Sequence, residues 1–379
     1  MDEFLVNQST AGNQSQPSVA GFRGTQFVAV WEDHGTETIK GRLFGVNGAP
    51  SDKEFAVNFP TPPGTKRQLP TVIETAQGFA VAWLERPPGG LLQLKLRTFD
   101  EDTLSGPESA VSTAEPEPLI RPAMTRLTDG GFAVAWADKR ADERIRLQRF
   151  GLDGSKNGSE MRANTAPGLH REPMVAGLTN ANIVVGWRAR ITAPLHLRLQ
   201  IFGANGPAGG EQISNIEITD ASMASLDSGQ FAVAHVRNAG DSEPGFETTV
   251  TQVSVFEASG AFVRRFPGTS APRILSSWPT IAPLPGGRLL VAWTEMNVDN
   301  PGAGTNVGAR ILSTQGPLGR AITVNTLSGG SRFSLSGATT SGPEGDTALL
   351  VWNDDTQTSA NQSGQAVKGR MLVIPPAGF

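Results

Sequence analysis

The chain has 379 residues, a formal net charge of −4, 44 glycines and 27 prolines, with neither cysteine nor tyrosine. Without cysteine it cannot form disulfides, bind zinc through thiolates or use thiol catalysis, and without tyrosine it cannot run a sialidase mechanism with a tyrosine nucleophile. The mildly acidic balance disfavours a nucleic-acid partner, and the apolar runs are only strand-length, so no membrane insertion is expected.

A Val-Ala-Trp motif recurs along the whole chain with a period of about 50 residues, which indicates a repeat architecture. Six copies of the motif end at Trp31, Trp83, Trp136, Trp187, Trp293 and Trp352. A seventh copy ends at His235 in place of Trp. The seven copies run approximately over residues 16–58, 69–112, 121–165, 172–215, 222–267, 278–326 and 334–373.

Every copy follows the same order of segments. A proline-led apolar stretch, such as Leu69 to Val72, is followed by a glycine-bearing turn and the alternating run that ends at the Trp. A third run (144–150 in the third copy) and, after another glycine turn, a short fourth run (160–164) complete the copy. Alternation punctuated by glycine and proline is typical of strands and hairpins. Four antiparallel strands in each of seven copies predict an all-β, seven-bladed β-propeller that forms a single domain over residues 1–379.

The two ends of the chain predict how the ring closes. Residues 3–7 (Glu-Phe-Leu-Val-Asn) match residues 54–58, the last strand of the first copy, and Ile322 to Asn325 match it too. The final copy ends before a fourth strand of its own. We therefore expect residues 1–7 to supply the outer strand of the last blade, which would leave no open end.

The segments 54–58, 70–72, 78–83 and 97–99 resemble a repeat of large exported bacterial proteins that are often labelled calcium-binding or haemolysin-type repeat proteins. The resemblance covers the whole chain. It implies an exported bacterial β-propeller, secreted or at the cell surface and often part of an adhesion protein, and it implies no catalytic residues. The Gly-Gly-x-Gly-x-Asp spacing of calcium β-rolls is absent, so the resemblance does not carry calcium with it.

The repeated tryptophans admit two interpretations. They could form a ring of platforms that stack on sugars, or each could pack between adjacent blades. Packing is favoured because each Trp ends an apolar run, and truncating such a side chain costs about 3–5 kcal/mol.

A repeated acid follows five of the seven motifs. An acid lies two residues beyond the Trp in five copies: Asp33, Glu85, Asp138, Glu295 and Asp354. Four third strands carry an arginine two residues before their final Phe-like position: Arg42, Arg97, Arg310 and Arg370. Alternation predicts that acid and arginine face each other across adjoining strands as salt bridges. The functional alternative is an acidic collar at the mouth of the central channel.

Copies four and five depart from this pattern and are basic there. Their charged residues are His170, Arg171, Arg188, Arg190, His196, Arg198, His235 and Arg237. One hypothesis is a site for an anionic group such as a uronate or a sulfated sugar. The alternative is a solvated face that balances the acids.

Metal and loop sites remain as further candidates. The histidines are His34, His170, His196 and His235, and their spacing fits no metal motif. No cofactor is expected, although calcium bound through loop oxygens stays open. Long loops between second and third strands are predicted at 238–248, 297–306 and 356–365. Trp278 stands outside the repeat and is either an exposed aromatic at a binding face or a plug between copies five and six.

The leading functional interpretation is non-catalytic, lectin-like or adhesive binding of a carbohydrate or protein ligand by the loop-rich face. A glycan hydrolase or lyase at the channel mouth is the first alternative, and a structural module of a larger surface protein is the second. The predicted ligand-binding residues are Asp33, Glu85, Asp138, Arg188, Arg190, His235, Arg237, Trp278, Glu295 and Asp354. No catalytic or metal-binding residue is predicted.

Overall fold

The structure is a computed structural model that describes residues 2–51, 53–100, 105–139, 144–179, 181–190, 195–239, 248–269, 274–343, 345–356 and 364–375. Parts of two predicted loops, 240–247 and 357–363, lie outside these ranges. Within them the chain is built from β-strands, and the single helical element is a 3-10 turn at Pro301–Ala303, in the predicted loop 297–306. No helix among the described residues has the length and apolarity needed to cross a membrane.

The described residues form thirty strands. The first half of the chain contains β1 (Phe4–Leu5), β2 (Gln14–Phe22), β3 (Gln26–Asp33), β4 (Thr38–Gly45), β5 (Phe55–Ala56), β6 (Lys66–Glu74), β7 (Gly78–Arg86), β8 (Gln93–Asp100), β9 (Ser109–Ala110), β10 (Ala123–Arg126), β11 (Phe132–Asp138), β12 (Arg144–Phe150), β13 (Lys156–Arg162), β14 (Leu169–Gly177), β15 (Ile183–Arg190), β16 (His196–Gly203), β17 (Gly206–Pro207) and β18 (Gln212–Glu217). The second half contains β19 (Asp220–Ser225), β20 (Phe231–Asn238), β21 (Thr249–Phe256), β22 (Phe262–Pro267), β23 (Ile274–Leu284), β24 (Arg288–Asn297), β25 (Thr305–Ser313), β26 (Gly316–Pro317), β27 (Ile322–Thr323), β28 (Arg332–Gly342), β29 (Gly345–Asp354) and β30 (Ala366–Ile374).

Within each copy the strands pair antiparallel in chain order. The sheets of the first three copies are β2-β3-β4-β5, β6-β7-β8-β9 and β10-β11-β12-β13. In copy four, β18 is the outer strand on β16, and copies five and six share one larger sheet through a single parallel pairing of Thr249 with Leu275. The first strands of successive copies contact one another, and β28 of the last copy contacts β2 of the first.

The core lies between the copies. All six motif tryptophans are at most 2% exposed. Each packs against the preceding copy: Trp83 lies in a cluster with Val28 and Val30 of copy one, and Trp31 in a cluster with Leu349 and Val351 of copy seven. The packing interpretation of the tryptophans is confirmed, and the sugar-platform interpretation is wrong, because no indole has a free face.

The short outer strands are held by a repeated asparagine. The Asn58 Oδ1 accepts the backbone N–H of Ile39 at 2.9 Å, and Val57 N–H donates to the Ile39 carbonyl at 2.8 Å. Asn164 and Asn325 make the same bond to the third strands of their own copies. A two-residue strand pairs through few ladder hydrogen bonds, so this side chain extends the pairing.

A repeated glutamate links the outer strands of copies one to four to the preceding copy. Its carboxylate accepts a backbone N–H just after the outer strand of that copy, for instance Glu160 from Thr113 at 3.2 Å and Glu211 from Thr165 at 2.8 Å. Glu54 and Glu108 do the same. The recurring Glu-Phe-x-Val-Asn sequence therefore encodes two distinct contacts, one within its copy and one to the previous copy.

The N-terminal segment makes both contacts with the end of the chain. β1 pairs with β30, Val6 N–H donates to the Val367 carbonyl at 2.9 Å, and Asn7 Oδ1 accepts Val367 N–H at 2.9 Å. Glu3 accepts the backbone N–H of Thr326, in copy six, at 3.1 Å. β1 is thus an edge strand of the four-stranded sheet β1-β30-β29-β28.

Candidate functional site

Most of the acids that follow the tryptophans are part of the framework. Asp33, Glu85, Asp138 and Asp354 are at most 4% exposed. Asp33 pairs with Lys40 at 2.6 Å, Asp138 with Arg146 at 2.9 Å and Asp354 with Lys368 at 3.2 Å. We therefore assign these four carboxylates to structure rather than to a ligand surface.

The predicted arginine partners of these acids are wrong. Arg42 lies opposite Ala29, and the cation that reaches Asp33 is Lys40, opposite Trp31. The arginines instead reach backbone carbonyls of the preceding outer strand: Arg42 binds that of Val6, and Arg97 that of Val57 at 2.7 Å. Arg370 likewise reaches Val324, whereas Arg310 binds Gly319 within its own copy. On β4, Asp33 lies opposite Thr38, and Lys40 is two residues nearer to that position than Arg42. The lysine therefore meets the acid and the arginine does not.

Some of these acids also accept a hydrogen bond from the indole of the Trp two residues before them. Asp354 accepts the indole N–H of Trp352 at 3.2 Å, and Glu295, partly buried, accepts that of Trp293 at 2.6 Å. In copy four, which lacks the acid, the indole N–H of Trp187 goes to His170 Nδ1 at 2.9 Å. In these copies the acid and the histidine serve the same purpose, since each gives a buried indole N–H its partner. Among the described residues the indole N–H groups of Trp31 and Trp136 have no hydrogen-bond partner.

The buried histidines are structural. His235 takes the place of the repeated Trp, is 0% exposed and contacts the Ser254 hydroxyl at 3.0 Å. Burial, helped by Arg265 and Arg237, lowers the pKa of His235 to about 3, so the ring is neutral. His170 is equally buried. The described residues contain no group of three or more His, Asp or Glu side chains arranged to hold a metal ion.

His34 belongs to a separate small group. Ser15 Oγ lies 2.7 Å and Glu32 Oε2 lies 3.1 Å from the same ring nitrogen, Nε2 of His34. The hydrogen bond to Glu32 raises the pKa of His34. In a nucleophilic triad the serine and the acid occupy opposite nitrogens of the histidine, so this arrangement is not that of an activated serine.

The remaining predicted site residues lie on β15, β20 and β23 of copies four to six. Arg190 is exposed at the end of β15, and Arg237 donates to the carbonyl of Asn238 at 3.0 Å. The side chain of Arg188 is 20% exposed, and Trp278 is 42% exposed. Of these, Arg188 and Trp278 are joined by further groups into a cluster.

The cluster is built on an irregularity shared by the first strands. Opposite the Trp motif, β2, β6, β14, β23 and β28 each have a register shift of the β-bulge kind. The residue in the bulge has a positive φ in each: Gln16 (54°), Leu69 (54°), Glu172 (53°), Trp278 (50°) and Ser334 (52°). Asp220 and Arg121 occupy the corresponding positions of copies five and three. Bulges re-aim a side chain and are frequent beside active sites.

These equivalent positions come together from different copies. Arg121 Nη2 donates to Gln16 Oε1 at 2.9 Å, and its Nη1 reaches the Pro17 and Pro70 carbonyls. One side chain therefore touches copies one, two and three. Burial lowers the pKa of Arg121 to about 10. The first strands thus surround a shared centre, which we call the axial centre.

On the side of copies four to six, the axial centre holds two carboxylates. Glu172 Oε1 accepts a hydrogen bond from Arg188, whose other nitrogen reaches the Thr219 carbonyl. Asp220 Oδ2 accepts the backbone N–H of Trp278 at 2.9 Å. We call Glu172, Arg188, Asp220 and Trp278 the axial cluster.

The electrostatics of the axial cluster are unusual. Burial raises the pKa of Glu172 to about 7, against the opposing charge of Arg188 and with a contribution from Asp220. Burial also raises the pKa of Asp220 to about 6. The Glu172 side chain is nevertheless 40% exposed, so a ligand can reach it. Two neighbouring acids with raised pKa values beside an arginine are typical of sites that transfer protons.

Sequence reasoning named Arg188 and Trp278 but missed Glu172 and Asp220. Trp278 stood out because it breaks the repeat. The available signal for the acids was one position of the first strand, followed by proline in five of the seven copies, which varies between copies. Aligning the copies at that position brings Gln16, Leu69, Arg121, Glu172, Asp220, Trp278 and Ser334 into one column.

Comparison with known proteins identifies the architecture. No protein-family model and no curated protein matches the chain. Among solved structures, the β-propeller domain of the Trilobed protease from Pyrococcus furiosus matches with a TM-score of 0.52 and 10% identity, over 91% of this chain and 92% of that one.

The fold is a β-propeller. An ulvan lyase of a polysaccharide lyase family matches this propeller with a TM-score of 0.59 and 10% identity, over 96% and 94% of the two chains. A protein of unknown function from Dyadobacter fermentans matches with a TM-score of 0.51 and 12% identity, over 99% and 98%. At these identities the likeness establishes the fold of the propeller and no activity.

Proposed function

We propose that this propeller is a glycan-cleaving enzyme whose active site is the axial cluster. The observation that carries the proposal is the pair Glu172 and Asp220, two neighbouring acids whose pKa values are both raised, to about 7 and about 6. The proposal takes up the enzyme alternative in place of non-catalytic binding. Ulvan lyases share the fold, which makes glycan cleavage compatible with such a scaffold, but the assignment rests on the residues of this chain.

The two acids fit the two roles that glycoside hydrolysis needs. Near neutral pH Glu172 retains its proton in a large fraction of molecules and can donate it to the glycosidic oxygen. Asp220 has the lower pKa and is mostly ionised at the same pH, so it can accept a proton from the attacking water. The bond from the anomeric carbon to the leaving oxygen breaks, water adds to that carbon, and one water is consumed.

The other two members of the cluster position these groups. Arg188 binds one oxygen of Glu172, which leaves the second oxygen to carry the proton. Trp278 offers an indole that is 42% exposed, suited to stack on a sugar ring. Its backbone N–H fixes Asp220.

The proposal is tested by incubating the protein with a panel of neutral and acidic polysaccharides. New reducing ends without ultraviolet absorbance of unsaturated uronides indicate hydrolysis, as proposed. New reducing ends with that absorbance indicate a lyase and contradict the hydrolytic roles given to Glu172 and Asp220. E172Q and D220N should each lose the activity, whereas E257Q, an acid at an exposed turn, should keep it.

Non-catalytic glycan binding is the second candidate, because the exposed Trp278 would serve a lectin equally well. It predicts glycan binding by the wild-type protein without any new reducing ends. Under that outcome E172Q should bind as the wild type does, while W278A should not.

We propose further that the propeller has seven blades and that β1 closes the ring. Three observations support this: the first strands contact one another in a cycle from β2 through β28 and back to β2, Asn7 repeats the bond of Asn58, and Glu3 repeats that of Glu54. A density map in which residues 3–7 lie away from β30 would contradict the closure.

We also propose that the protein acts outside a bacterial cell, where polymeric glycans are met. The support is the resemblance of its repeats to those of exported bacterial surface proteins. Detection of the protein in the culture medium or on the cell surface of its source would agree, and confinement to the cytoplasmic fraction would contradict it.

A further inference from the structure

We propose that the rim of the propeller carries a second, non-catalytic site, in which Arg265 and Phe262 bind a uronate residue of a glycan. The site is a cleft of about 380 Å³ between the outer strands β18 and β22 of copies four and five. It lies outside the axial cluster, shares no residue with it, and does not depend on the reaction proposed there.

The cleft occurs where the repeat breaks its own rule. Gln252 of copy five pairs with Pro267, just as Lys40 of copy one pairs with Ala56. Arg265 and Glu54 each lie two residues before these partners, so Arg265 occupies the position of the linking glutamate Glu54. In copies one to four a glutamate at this position accepts a backbone N–H of the preceding copy. An arginine side chain has no hydrogen-bond acceptor and cannot make that contact, so copy five presents a cation where copies one to four present a carboxylate.

Arg265 is available to an anion. It is exposed, and its Nε donates to Ser254 Oγ at 3.2 Å, which orients the guanidinium. Among the described residues Arg265 forms no ion pair. The charged side chain that influences it is Arg237, which carries the same charge. A guanidinium held at Nε keeps two terminal nitrogens for bidentate contact with a carboxylate.

The rest of the lining suits a sugar ring. Phe262 is 54% exposed, and the Arg265 guanidinium lies 5.7 Å from its ring centroid. Ile213, 64% exposed, adds apolar surface on the facing strand, and the Ser214 and Asn215 side chains add hydroxyl and amide groups. An aromatic face with a few polar groups beside it is the usual composition of a small-molecule site.

The test is calorimetric titration of the full chain, at low salt, with glucuronate-containing oligosaccharides and with the matching neutral glucose oligosaccharides. The acidic series should bind and the neutral series should bind at least about tenfold more weakly, since a charge-assisted pair is lost. R265E introduces the charge found in copies one to four and should weaken binding by about tenfold or more. F262A should weaken it as well.

A matched control comes from the neighbouring residue. Arg264 is exposed on the same strand, contacts Gln315 at 2.8 Å and does not line the cleft. R264E changes the net charge equally and should leave the affinity within about twofold. Equal losses in R264E and R265E, no binding of the acidic series, or binding lost in E172Q but kept in R265E would each overturn the proposal. Retention of binding by E172Q separates this site from the axial cluster.

Discussion

At the scale of single residues, the axial cluster is defined by the raised pKa values of its two acids. Glu172 and Asp220 lie in a crowded centre in which burial outweighs the charge of Arg188, so both pKa values rise. The same environment lowers the pKa of Arg121 across the centre. Asp220 has a structural contact as well, with the Trp278 backbone; asparagine keeps an oxygen for that contact, so D220N removes the charge alone.

The paired values predict a bell-shaped dependence of cleavage on pH. Activity requires protonated Glu172 and ionised Asp220, so kcat/KM should be greatest between about pH 6 and about pH 7. It should fall below that range as Asp220 gains a proton and above it as Glu172 loses one. Initial rates across pH measure this. A rate that keeps rising well above pH 7 would mean that Glu172 is not the acid.

His235 predicts a loss of stability in acid. Its folded pKa, about 3, lies below its ordinary value of 6.5, because the buried ring cannot accept a charge. The folded state therefore binds fewer protons, and the stability this group contributes is complete above about pH 6.5 and declines as the pH falls towards 3.

The measurement is urea unfolding of the wild type and of H235Q at about pH 7.5 and about pH 5. The wild type should lose stability between the two conditions, and H235Q should lose less, because a glutamine can still meet Ser254 but does not titrate. Equal losses in both proteins would assign the acid sensitivity to other groups.

At the scale of the strands, the copies are joined by buried polar contacts as well as by apolar packing. Asp33, Glu85, Asp138 and Asp354 each bind a cation on an adjoining strand. In copies two, six and seven the acid also meets the indole. In five copies a first-strand bulge re-aims one residue, and the identity of the residue at this position differs among all seven copies. The regular part of the repeat forms a framework, and this position is one of those at which the copies differ.

Asp138 and Lys139 are neighbours in the sequence, but their removal should lower the free energy of unfolding by unequal amounts. D138A leaves the guanidinium of Arg146, 10% exposed, without this partner and should lower the free energy of unfolding by about 3–5 kcal/mol. K139A removes a cation that is 53% exposed and pairs with Glu115 at 3.6 Å, and it should cost less than about 1 kcal/mol. Chemical denaturation compares the two variants. Similar small losses would show that the Asp138 pair is not important for stability.

At the scale of the whole molecule, the terminal strand should matter as much as an internal one. N58A leaves the buried N–H of Ile39 without its acceptor, at a cost of about 1–3 kcal/mol. N7A removes the same bond from Val367 and should cost a similar amount if β1 completes the last blade. The two variants are compared by thermal unfolding. An N7A protein as stable as the wild type would contradict ring closure by β1.

The repeat made the fold predictable, whereas the site depends on contacts that the repeat does not encode. The Val-Ala-Trp runs place the second strands because alternation and apolar content determine a buried strand directly. The pairing of Arg42 with Asp33 failed because register decides which residues meet, and register is set by hairpins and bulges. Glu172 was missed because its pKa depends on Asp220 and Arg188, which other strands bring to it.

The central claim is that Glu172 donates the proton in glycan cleavage by the axial cluster. The most direct test is the cleavage rate of E172Q relative to the wild type, on the polysaccharide that yields the most reducing ends, with E257Q as the control. Loss of a general acid should lower kcat by about 10²–10⁴-fold, while E257Q stays close to wild type and E172Q still binds the polymer. A wild-type rate in a folded E172Q would contradict the claim.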